Sequence, residues 1–290
     1  MTDSTRVIVV NYNAGDALQR CVASVLASRE ALHLIVADND STDGSCERLR
    51  SLYASNPRIE ILENGSNLGF ASAVNACAAV GSEPYLLILN PDCELYPGAL
   101  GKLKLALESD PDAALAAPCV VDRNENIQRG TLRHFPDPWK AITTSTGLAR
   151  LGRVLPFLAG VESAADELPC ETVRADAVSG ACMLIRREDF ARCGGFDERF
   201  QMHFEDLDLM FRLKQTGRHR LYVPSSRVFH QPGTSSSSRP WWVHRQKHLG
   251  LQRYFDKHRP GAQSAAGRWS TIVAIWAHYL VTLPLVMMRR

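Results

Sequence analysis

The sequence has no strong excess of charge of either sign. Its 290 residues include 33 Lys and Arg against 31 Asp and Glu, which gives a formal net charge of +2. So small a charge provides no extended field to attract a polyanion, and we expect no nucleic-acid partner. With 45% hydrophobic residues, the chain can bury a large core, as one sizeable domain or as one domain with appendages.

Several familiar motifs are also missing. The eight cysteines form no C-x-x-C pair and no regular spacing with histidine, which argues against a zinc site or a thioredoxin-like centre. No basic segment followed by a long apolar run opens the sequence, so we expect a reducing, cytoplasmic location. The chain lacks the phosphate loop, the dinucleotide fingerprint, the nucleophile elbow and H-E-x-x-H. Kinases, dehydrogenases and the common hydrolases are therefore disfavoured.

What is present in the first 120 residues is a regular alternation of two patterns. Short apolar runs, RVIVVN, HLIVAD, RIEIL and YLLILN, are separated by helix-period stretches near 16–28, 44–54 and 70–80. This alternation predicts an α/β fold with a mostly parallel central sheet flanked by helices. Polar residues follow the strand-like runs and should share one cleft at the carboxyl edge of the sheet, namely Asn11, Asp38, Asn39, Asp40, Asn90 and Asp92.

The second half is less regular. After a helix near 98–109 and the run LAAPCVV, the pattern loosens over 122–175, which we interpret as an acceptor-side insertion with partial helix over 139–158. We predict a strand at VSGACMLIRR, a helix at EDLDLMFRLKQTG that stops at Gly217, and two strands at RLYVP and RVFHQ. We place a main domain at 1–238, with halves 1–121 and 122–238, and a C-terminal extension at 239–290.

The C-terminal extension combines a basic, aromatic helix near Trp241 to His258 with an apolar end. The last run, TIVAIWAHYLVTLPLVMM, has 18 residues and contains no Asp, Glu, Lys or Arg. As a helix it is about 27 Å long, slightly short of a hydrocarbon core of about 30 Å. We predict a membrane-associating tail that lies in the interface or spans with a kink at Pro284. A buried terminal helix is the alternative, and Trp241 and Trp242 fit either an acceptor entrance or core packing.

Acidic residues at two places suggest metal and proton chemistry. Asp92, in Asn90-Pro91-Asp92, is placed to bind Mg²⁺ or Mn²⁺ beside a diphosphate, and His230 is a candidate second ligand. An ordinary strand-to-helix turn and a structural histidine are the alternatives. Glu205 and Asp206 open a helix, where one of them could act as general base; stabilisation of the helix N-terminus is the alternative.

Two further segments suit a nucleotide. Asp38 and Asn39 could pair with a base edge or ribose hydroxyls, although a polar turn that caps the next helix explains them too. Asn67, Gly69 and Asn75 lie at a loop-to-helix junction, where backbone N–H groups suit a phosphate or a sugar nucleotide.

Taken in order, the segments VIVVNYN, VADNDSTDGS, NLGFASAVN, LLILNPD, SGACMLIRR, GGFDERF, EDLDL and VFHQPGTS resemble the family 2 glycosyltransferases, especially their rhamnosyltransferase-like branch. The resemblance spans about residues 6 to 235. It implies a GT-A fold with a Rossmann-like sheet, inverting transfer from a nucleoside-diphosphate sugar, and a divalent metal, Mg²⁺ or Mn²⁺.

The resemblance also implies residue roles. Asp92 corresponds to the last acid of the family's D-x-D-type metal motif, whereas Asn90 replaces the first acid, so His230, phosphates and water would have to assist. Asp206 matches the proposed catalytic base. The nucleotide and donor sugar would meet Tyr12, Asp38, Asn39, Asn67, Gly69 and the small residues Gly180 and Ala181.

The branch suggests a substrate as well. We expect dTDP-L-rhamnose as donor and a cell-envelope glycan or a polyprenyl-linked saccharide as acceptor, with the enzyme peripheral at the inner face of the cell membrane. Two alternatives stay open. A sugar-phosphate nucleotidyltransferase would normally carry an N-terminal G-x-G-T-R-L pattern, which is absent, and a non-catalytic sugar-nucleotide-binding protein would need the same binding residues without turnover.

Overall fold

The structure is a computed structural model that describes residues 4–137, 139–140, 143, 155, 160–162, 168–231, 239–258 and 264–288. The strands are β1 (Thr5–Asn11), β2 (Leu32–Asp38), β3 (Ile59–Glu63), β4 (Tyr85–Leu89), β5 (Cys93–Leu95), β6 (Ala113–Val121), β7 (Leu132–Arg133), β8 (Val173–Ala175), β9 (Ala177–Val178), β10 (Cys182–Arg186) and β11 (His219–His230). The helices are α1 (Asp16–Leu26), α2 (Ser45–Tyr53), α3 (Phe70–Ala79), α4 (Ala99–Ser109), α5 (Arg187–Arg192), α6 (Glu205–Gln215), α7 (Pro240–His258) and α8 (Ala265–Met288).

The first four strands form a parallel sheet in the order β3-β2-β1-β4. Successive side chains of a strand point to opposite faces of the sheet, so β1 contributes to a hydrophobic cluster on each face. Ile8 belongs to one cluster, and Val7 and Val9 belong to the other. Both faces are therefore buried, as the continuous apolar runs require. The predicted α/β class with a helix-flanked sheet is confirmed.

The second half of the sheet is mixed. β10 lies antiparallel between β4 and β6, β11 runs parallel to β6, and the short β5 pairs antiparallel with β11. β8 adds to β11, while β7 and β9 form a separate two-stranded ribbon. This arrangement brings the carboxyl ends of β4 and β11 and the start of β10 to one edge, where β1 and β2 also end.

The prediction of two strands at RLYVP and RVFHQ was wrong. Both segments belong to β11, a single strand of 12 residues that continues through Pro224. The pairing with β6 shifts register between Val223 and Arg227, and the hydroxyl of Ser226 donates to the Ala99 carbonyl at 3.0 Å. Proline is tolerated in a strand at such an irregularity, so the Pro-Ser-Ser segment marks a bulge and not a turn.

The C-terminal helices differ from each other in burial. Tyr254 and Phe255 of α7 are buried in the core, whereas Ile275 is the only residue of α8 that is buried among its described residues. The alternative of a buried terminal helix therefore does not describe α8. Trp241 is 54% exposed, so core packing does not explain it. Of the partial helix predicted over 139–158, residues 139, 140 and 143 are helical and most of the rest lies outside the described residues.

Candidate functional site

The ends of β1 and β2 carry the predicted nucleotide residues side by side. The parallel register pairs Asn11 with Asp38, and the buried Asn11 amide donates to Asp38 Oδ1 at 2.9 Å. Tyr12 follows Asn11 and is half-buried. Asp40 is exposed at the turn after β2 and has a left-handed backbone, with φ of 64°. The carboxylate of Asp38 is thus fixed in place at the carboxyl edge of the sheet.

Asn39 links the loop after β2 to the loop before α3. Its amide oxygen accepts a hydrogen bond from Asn64 Nδ2 at 2.8 Å, and its amide nitrogen donates to Asn67 Oδ1 at 3.3 Å and to the Gly69 carbonyl at 3.2 Å. The side chain is 2% exposed. The structure therefore brings Asn39, Asn67 and Gly69 together, and it gives the Asn39 amide a positioning role between the loops. Asn75 lies apart, where its amide contacts the Phe196 backbone.

A second group, which we call the metal corner, consists of Asp92, His230 and Gln128. The antiparallel register of β5 and β11 pairs His230 with Cys93, and the Gln231 N–H donates to the Asp92 carbonyl at 3.0 Å. As a result His230 Nε2 lies 3.4 Å from Asp92 Oδ1. Of the residues that the structure describes, Asp92, Cys93 and His230 form the one cluster of potential metal ligands, with ligand atoms within 4.8 Å of one another.

The side chains of the metal corner fit a hard divalent cation. Carboxylate oxygen and imidazole nitrogen are suitable ligands for Mg²⁺ or Mn²⁺, and a coordination shell left open by two protein ligands suits a metal that also binds phosphate oxygens. Cys93 is a poor third ligand, because burial raises the pKa of its thiol well above the usual value. Its Sγ donates to the Ala181 carbonyl at 3.5 Å.

The third group, which we call the base corner, consists of Asp206, Glu205, Arg133 and Gly180. Arg133 of β7 forms an ion pair with Asp206 Oδ2 and donates from Nε to the Val178 carbonyl at 3.1 Å. The Leu207 N–H donates to Asp206 Oδ1 at 2.7 Å. Each carboxylate oxygen keeps a second lone pair, so these contacts orient Asp206 without exhausting its capacity to accept a proton.

Position 180 has room for glycine only. A Cβ added to Gly180 would lie 2.4 Å from Asp206 Oδ2, closer than any side chain tolerates. The next residue, Ala181, accepts hydrogen bonds from the Asn90 N–H at 2.9 Å and from Cys93 Sγ. The two-residue segment Gly180–Ala181 therefore touches the base corner on one side and the residues flanking Asp92 on the other. This segment is where the two predicted carboxylates approach the same edge of the sheet.

The carboxyl group of Glu205 is protonated at neutral pH. Burial, followed by the charge of Asp206, raises the pKa of Glu205 to about 8. Glu205 Oε2 is also buried and has no hydrogen-bond partner among the residues that the structure describes. A carboxyl group that already carries a proton cannot act as a general base. Glu205 therefore fits a general base less well than Asp206 does.

The turn that precedes α6 is strained and is supported by α7. His203 and Phe204 both have left-handed backbones, with φ of 64° and 72°. A Cβ on Gly250 of α7 would lie 2.8 Å from the Phe204 ring, which shows how closely the helix approaches. Lys257 and His258 of α7 contact the buried Asp208 at 2.7 and 2.8 Å. Non-glycine residues keep such conformations only where the surroundings enforce them, so α7 helps to hold the base corner.

Sequence patterns missed three residues of this site. Arg133 and Gln128 lie in the irregular stretch 122–175, and Gly250 is a lone glycine inside a predicted helix. The only sequence signal was the accumulation of polar side chains in QRGTLRH, which indicates no particular partner.

Comparisons with known proteins identify the class of protein that these features define. A mannosyltransferase from Pyrobaculum calidifontis, solved with GDP-Man and Mn²⁺, matches 99% of this chain and 72% of its own with a TM-score of 0.61 and 16% identity. GalNAc-T7, solved with UDP, GalNAc and Mn²⁺, matches with a TM-score of 0.60 and 17% identity over 96% of this chain, which spans 55% of that structure. The fold is GT-A, the architecture of nucleotide-sugar transferases.

The particular family follows from the sequence. The model for glycosyl transferase family 2 matches residues 6–172, and the chain belongs to this family of glycosyltransferase enzymes. An N-acetylglucosaminyl-diphospho-decaprenol L-rhamnosyltransferase of Mycobacterium tuberculosis is 30% identical over 100% of this chain and 97% of its own. The rhamnosyltransferase WbbL of Escherichia coli is 24% identical over 77% of this chain and 82% of its own. The family predicted from the motifs is confirmed.

Proposed function

We propose that this enzyme transfers L-rhamnose from dTDP-L-rhamnose to a hydroxyl of a polyprenyl-diphosphate-linked saccharide. The support for the sugar and the lipid carrier is the full-length similarity to the mycobacterial rhamnosyltransferase, whose name states both. The support for the reaction is the arrangement of the two carboxylates around Gly180–Ala181.

The donor binds along the carboxyl edge of the sheet in this proposal. Asp38 faces the nucleoside, and the loop that Asn39 joins to Asn67 and Gly69 surrounds the ribose and phosphates. Gly69 immediately precedes α3, so the N-terminus of that helix favours a negatively charged group nearby. Asp92 and His230 hold a divalent metal, which when bound neutralises charge on the departing diphosphate.

Asp206 acts on the acceptor. The acceptor oxygen forms a bond to the anomeric carbon as the bond from that carbon to the diphosphate oxygen breaks, and the hydroxyl proton passes to Asp206. The nucleoside diphosphate leaves with the bonding electrons, and the anomeric configuration inverts. Arg133 and Gly180 fix the carboxylate in its position, and the neutral Glu205 adds no competing charge.

A lipid-linked acceptor calls for contact with a membrane, and α8 is suited to it. The helix is long and apolar enough to cross a membrane by length and composition. Its polar groups face α7, where Thr282 contacts His244 at 2.9 Å and Trp276 donates to Gln252 at 2.8 Å. The opposite surface is exposed and apolar, formed by Trp269, Val273, Leu280, Val281, Leu285, Met287 and Met288.

Exposed basic residues lie on the neighbouring helix, α7. Arg245 and Lys247 are exposed on α7 and would meet anionic lipid headgroups. We therefore place the enzyme at the cytoplasmic face of the membrane as a peripheral protein, with the apolar surface of α8 in the lipid.

A transfer assay with identified products tests the proposed function. Full-length enzyme is incubated with Mn²⁺, a short-chain polyprenyl diphosphate carrying N-acetylglucosamine, and dTDP-rhamnose, UDP-sugars or GDP-sugars in parallel. The proposal predicts a rhamnosylated lipid and free dTDP from the first donor. Release of pyrophosphate from a sugar phosphate and a nucleoside triphosphate would instead indicate a nucleotidyltransferase. Donor binding without any product would indicate a non-catalytic binding protein.

A further inference from the structure

The metal corner contains a residue with no assigned role, Gln128. The chain leaves β6 at Val121 and turns back on itself, with the Asp122 N–H donating to the Asn126 carbonyl at 2.9 Å and the Gln128 N–H donating to the Val120 carbonyl at 2.8 Å. β11 runs parallel to β6 and pairs Phe229 with Val121. The turn therefore places the Gln128 side chain beside His230, the next residue of β11.

In the described part of the chain, the side chain of Gln128 makes two hydrogen bonds, and both are to His230. Its Nε2 donates to the His230 backbone carbonyl at 2.7 Å, and its Oε1 lies 3.0 Å from His230 Nδ1. A backbone carbonyl can only accept a hydrogen bond, so the amide nitrogen has to face it. The amide oxygen then has to face Nδ1, and an oxygen acceptor requires that Nδ1 carries the hydrogen.

This assignment also determines the state of the second ring nitrogen, Nε2. A neutral imidazole with hydrogen on Nδ1 presents a lone pair at Nε2, and that atom lies 3.4 Å from Asp92 Oδ1. Both atoms are then hydrogen-bond acceptors, and a cation bound between them would remove their mutual repulsion. The hydrogen bonds of Gln128 thus favour the tautomer of His230 that can bind a cation. In this tautomer the lone pair of Nε2 faces the Asp92 carboxylate.

We infer that Gln128 is a positioning residue for the divalent cation, because it holds His230 in the tautomer and orientation that make Nε2 a ligand. The inference rests on the metal site of the proposed function. Outer partners of this kind typically account for roughly 10- to 100-fold in metal affinity. The bond from Nε2 to the His230 carbonyl fixes the orientation of the Gln128 amide, and Oε1 of that amide then holds Nδ1 of the ring.

The test uses Mn²⁺ binding to the full-length protein without donor, measured by the loss of the free-ion signal in electron paramagnetic resonance. Gln128→Met keeps the length of the side chain and removes both hydrogen bonds. Gln128→Glu keeps an oxygen acceptor for Nδ1–H. Gln231→Met is the matched control, because the Gln231 side chain contacts Arg123 and not His230. Asp92→Asn reports on the metal site itself.

We expect Gln128→Met to weaken Mn²⁺ binding by roughly 10- to 100-fold, with Gln128→Glu closer to wild type and Gln231→Met unchanged. Wild-type affinity in Gln128→Met, while Asp92→Asn loses the ion, would overturn the role of Gln128 and leave the metal site standing. Equal binding by wild type and Asp92→Asn would overturn the metal site instead.

A second measurement does not depend on the metal. Long-range ¹⁵N–¹H correlation spectra of the imidazole rings should show His230 with hydrogen on Nδ1 in the wild type and a mixture of tautomers in Gln128→Met. Hydrogen on Nε2 in the metal-free wild type at alkaline pH would contradict the inference directly. Thermal unfolding of each variant verifies that it is folded under the conditions of both measurements.

Discussion

The metal corner and the base corner are constructed in different ways. Asp92 and His230 are brought together by the register of β5 and β11, so regular backbone hydrogen bonds determine their separation. Asp206 instead depends on a strained turn, an arginine from an irregular segment and a glycine that admits its carboxylate. The first site is rigid because the sheet is rigid, whereas the second is held by contacts between distant segments. Substitutions around the base corner should therefore disturb its geometry more easily.

The largest effect is expected at the base itself. Asp206→Asn keeps the size of the side chain but removes its basicity, so kcat should fall by roughly 10²- to 10⁴-fold in a steady-state transfer assay. The neighbouring variant Glu205→Gln is the control, because the Glu205 carboxyl is already protonated at neutral pH. A greater loss of kcat in Glu205→Gln than in Asp206→Asn would reverse the two assignments.

The next largest effect is expected from Gly180→Ala, which tests whether the base corner depends on the close approach of Gly180 to Asp206. Gly180→Ala places a methyl group 2.4 Å from Asp206 Oδ2, and a displacement of about 1 Å at a catalytic group can cost roughly 100-fold in rate. We expect a loss of this order in kcat, with the KM for donor less affected. Gly101→Ala on α4 is the matched control, because its new methyl group meets only the flexible end of Glu30. A Gly180→Ala enzyme with wild-type kcat would show that the contact is unimportant.

A smaller effect is expected on membrane association. Replacing Leu280, Val281 and Leu285 by Ser removes apolar surface that is exposed in the protein, and each such side chain contributes about 1.5–3 kcal/mol when fully buried in an apolar phase. Sedimentation with vesicles that contain anionic lipid should fall, while transfer to a water-soluble acceptor analogue stays unchanged. Serine at the exposed Leu52 and Leu105 is the control. Unchanged sedimentation of the α8 variant would exclude this surface from lipid contact.

The smallest effect concerns stability and pH. Burial beside Asp206 raises the pKa of Glu205 to about 8 in the folded protein, well above its usual range, so folding favours the protonated form. The contribution of Glu205 protonation to the free energy of unfolding is complete at pH values below the pKa of Glu205 in the unfolded chain. It is lost as the pH rises through about 8. Glu205→Gln cannot ionise, so its Tm should exceed that of the wild type increasingly from pH 5 to pH 8. A constant difference in Tm over this range would contradict the shifted pKa.

The contrast between the corners also explains what the sequence could predict. Apolar runs bounded by polar residues predicted β1 to β4 and therefore the edge on which Asp38, Asn39 and Asp92 lie. His230 was found because it ends a strand within a recognisable motif. The short β5 escaped notice, since three residues give no periodic pattern, and β11 was divided at Pro224 because a bulge and a turn have the same composition.

Other contacts could not be predicted, because they depend on folding between segments far apart in the chain. Arg133 lies 73 residues from Asp206, and Gln128 lies 102 residues from His230. Neither residue has a local pattern that names its partner. The role of Gly250 likewise becomes visible only when α7 is packed against Phe204.

The most direct test of two carboxylates acting on one donor sugar is a calorimetric titration of dTDP-rhamnose, with and without Mn²⁺, into the wild type, Asp92→Asn and Asp206→Asn. The account predicts that Asp206→Asn binds the donor with the wild-type affinity and dependence on Mn²⁺, although its kcat for transfer is greatly reduced. Asp92→Asn should lose the part of the affinity that requires Mn²⁺. Loss of donor binding in Asp206→Asn, or full Mn²⁺-dependent binding in Asp92→Asn, would contradict it.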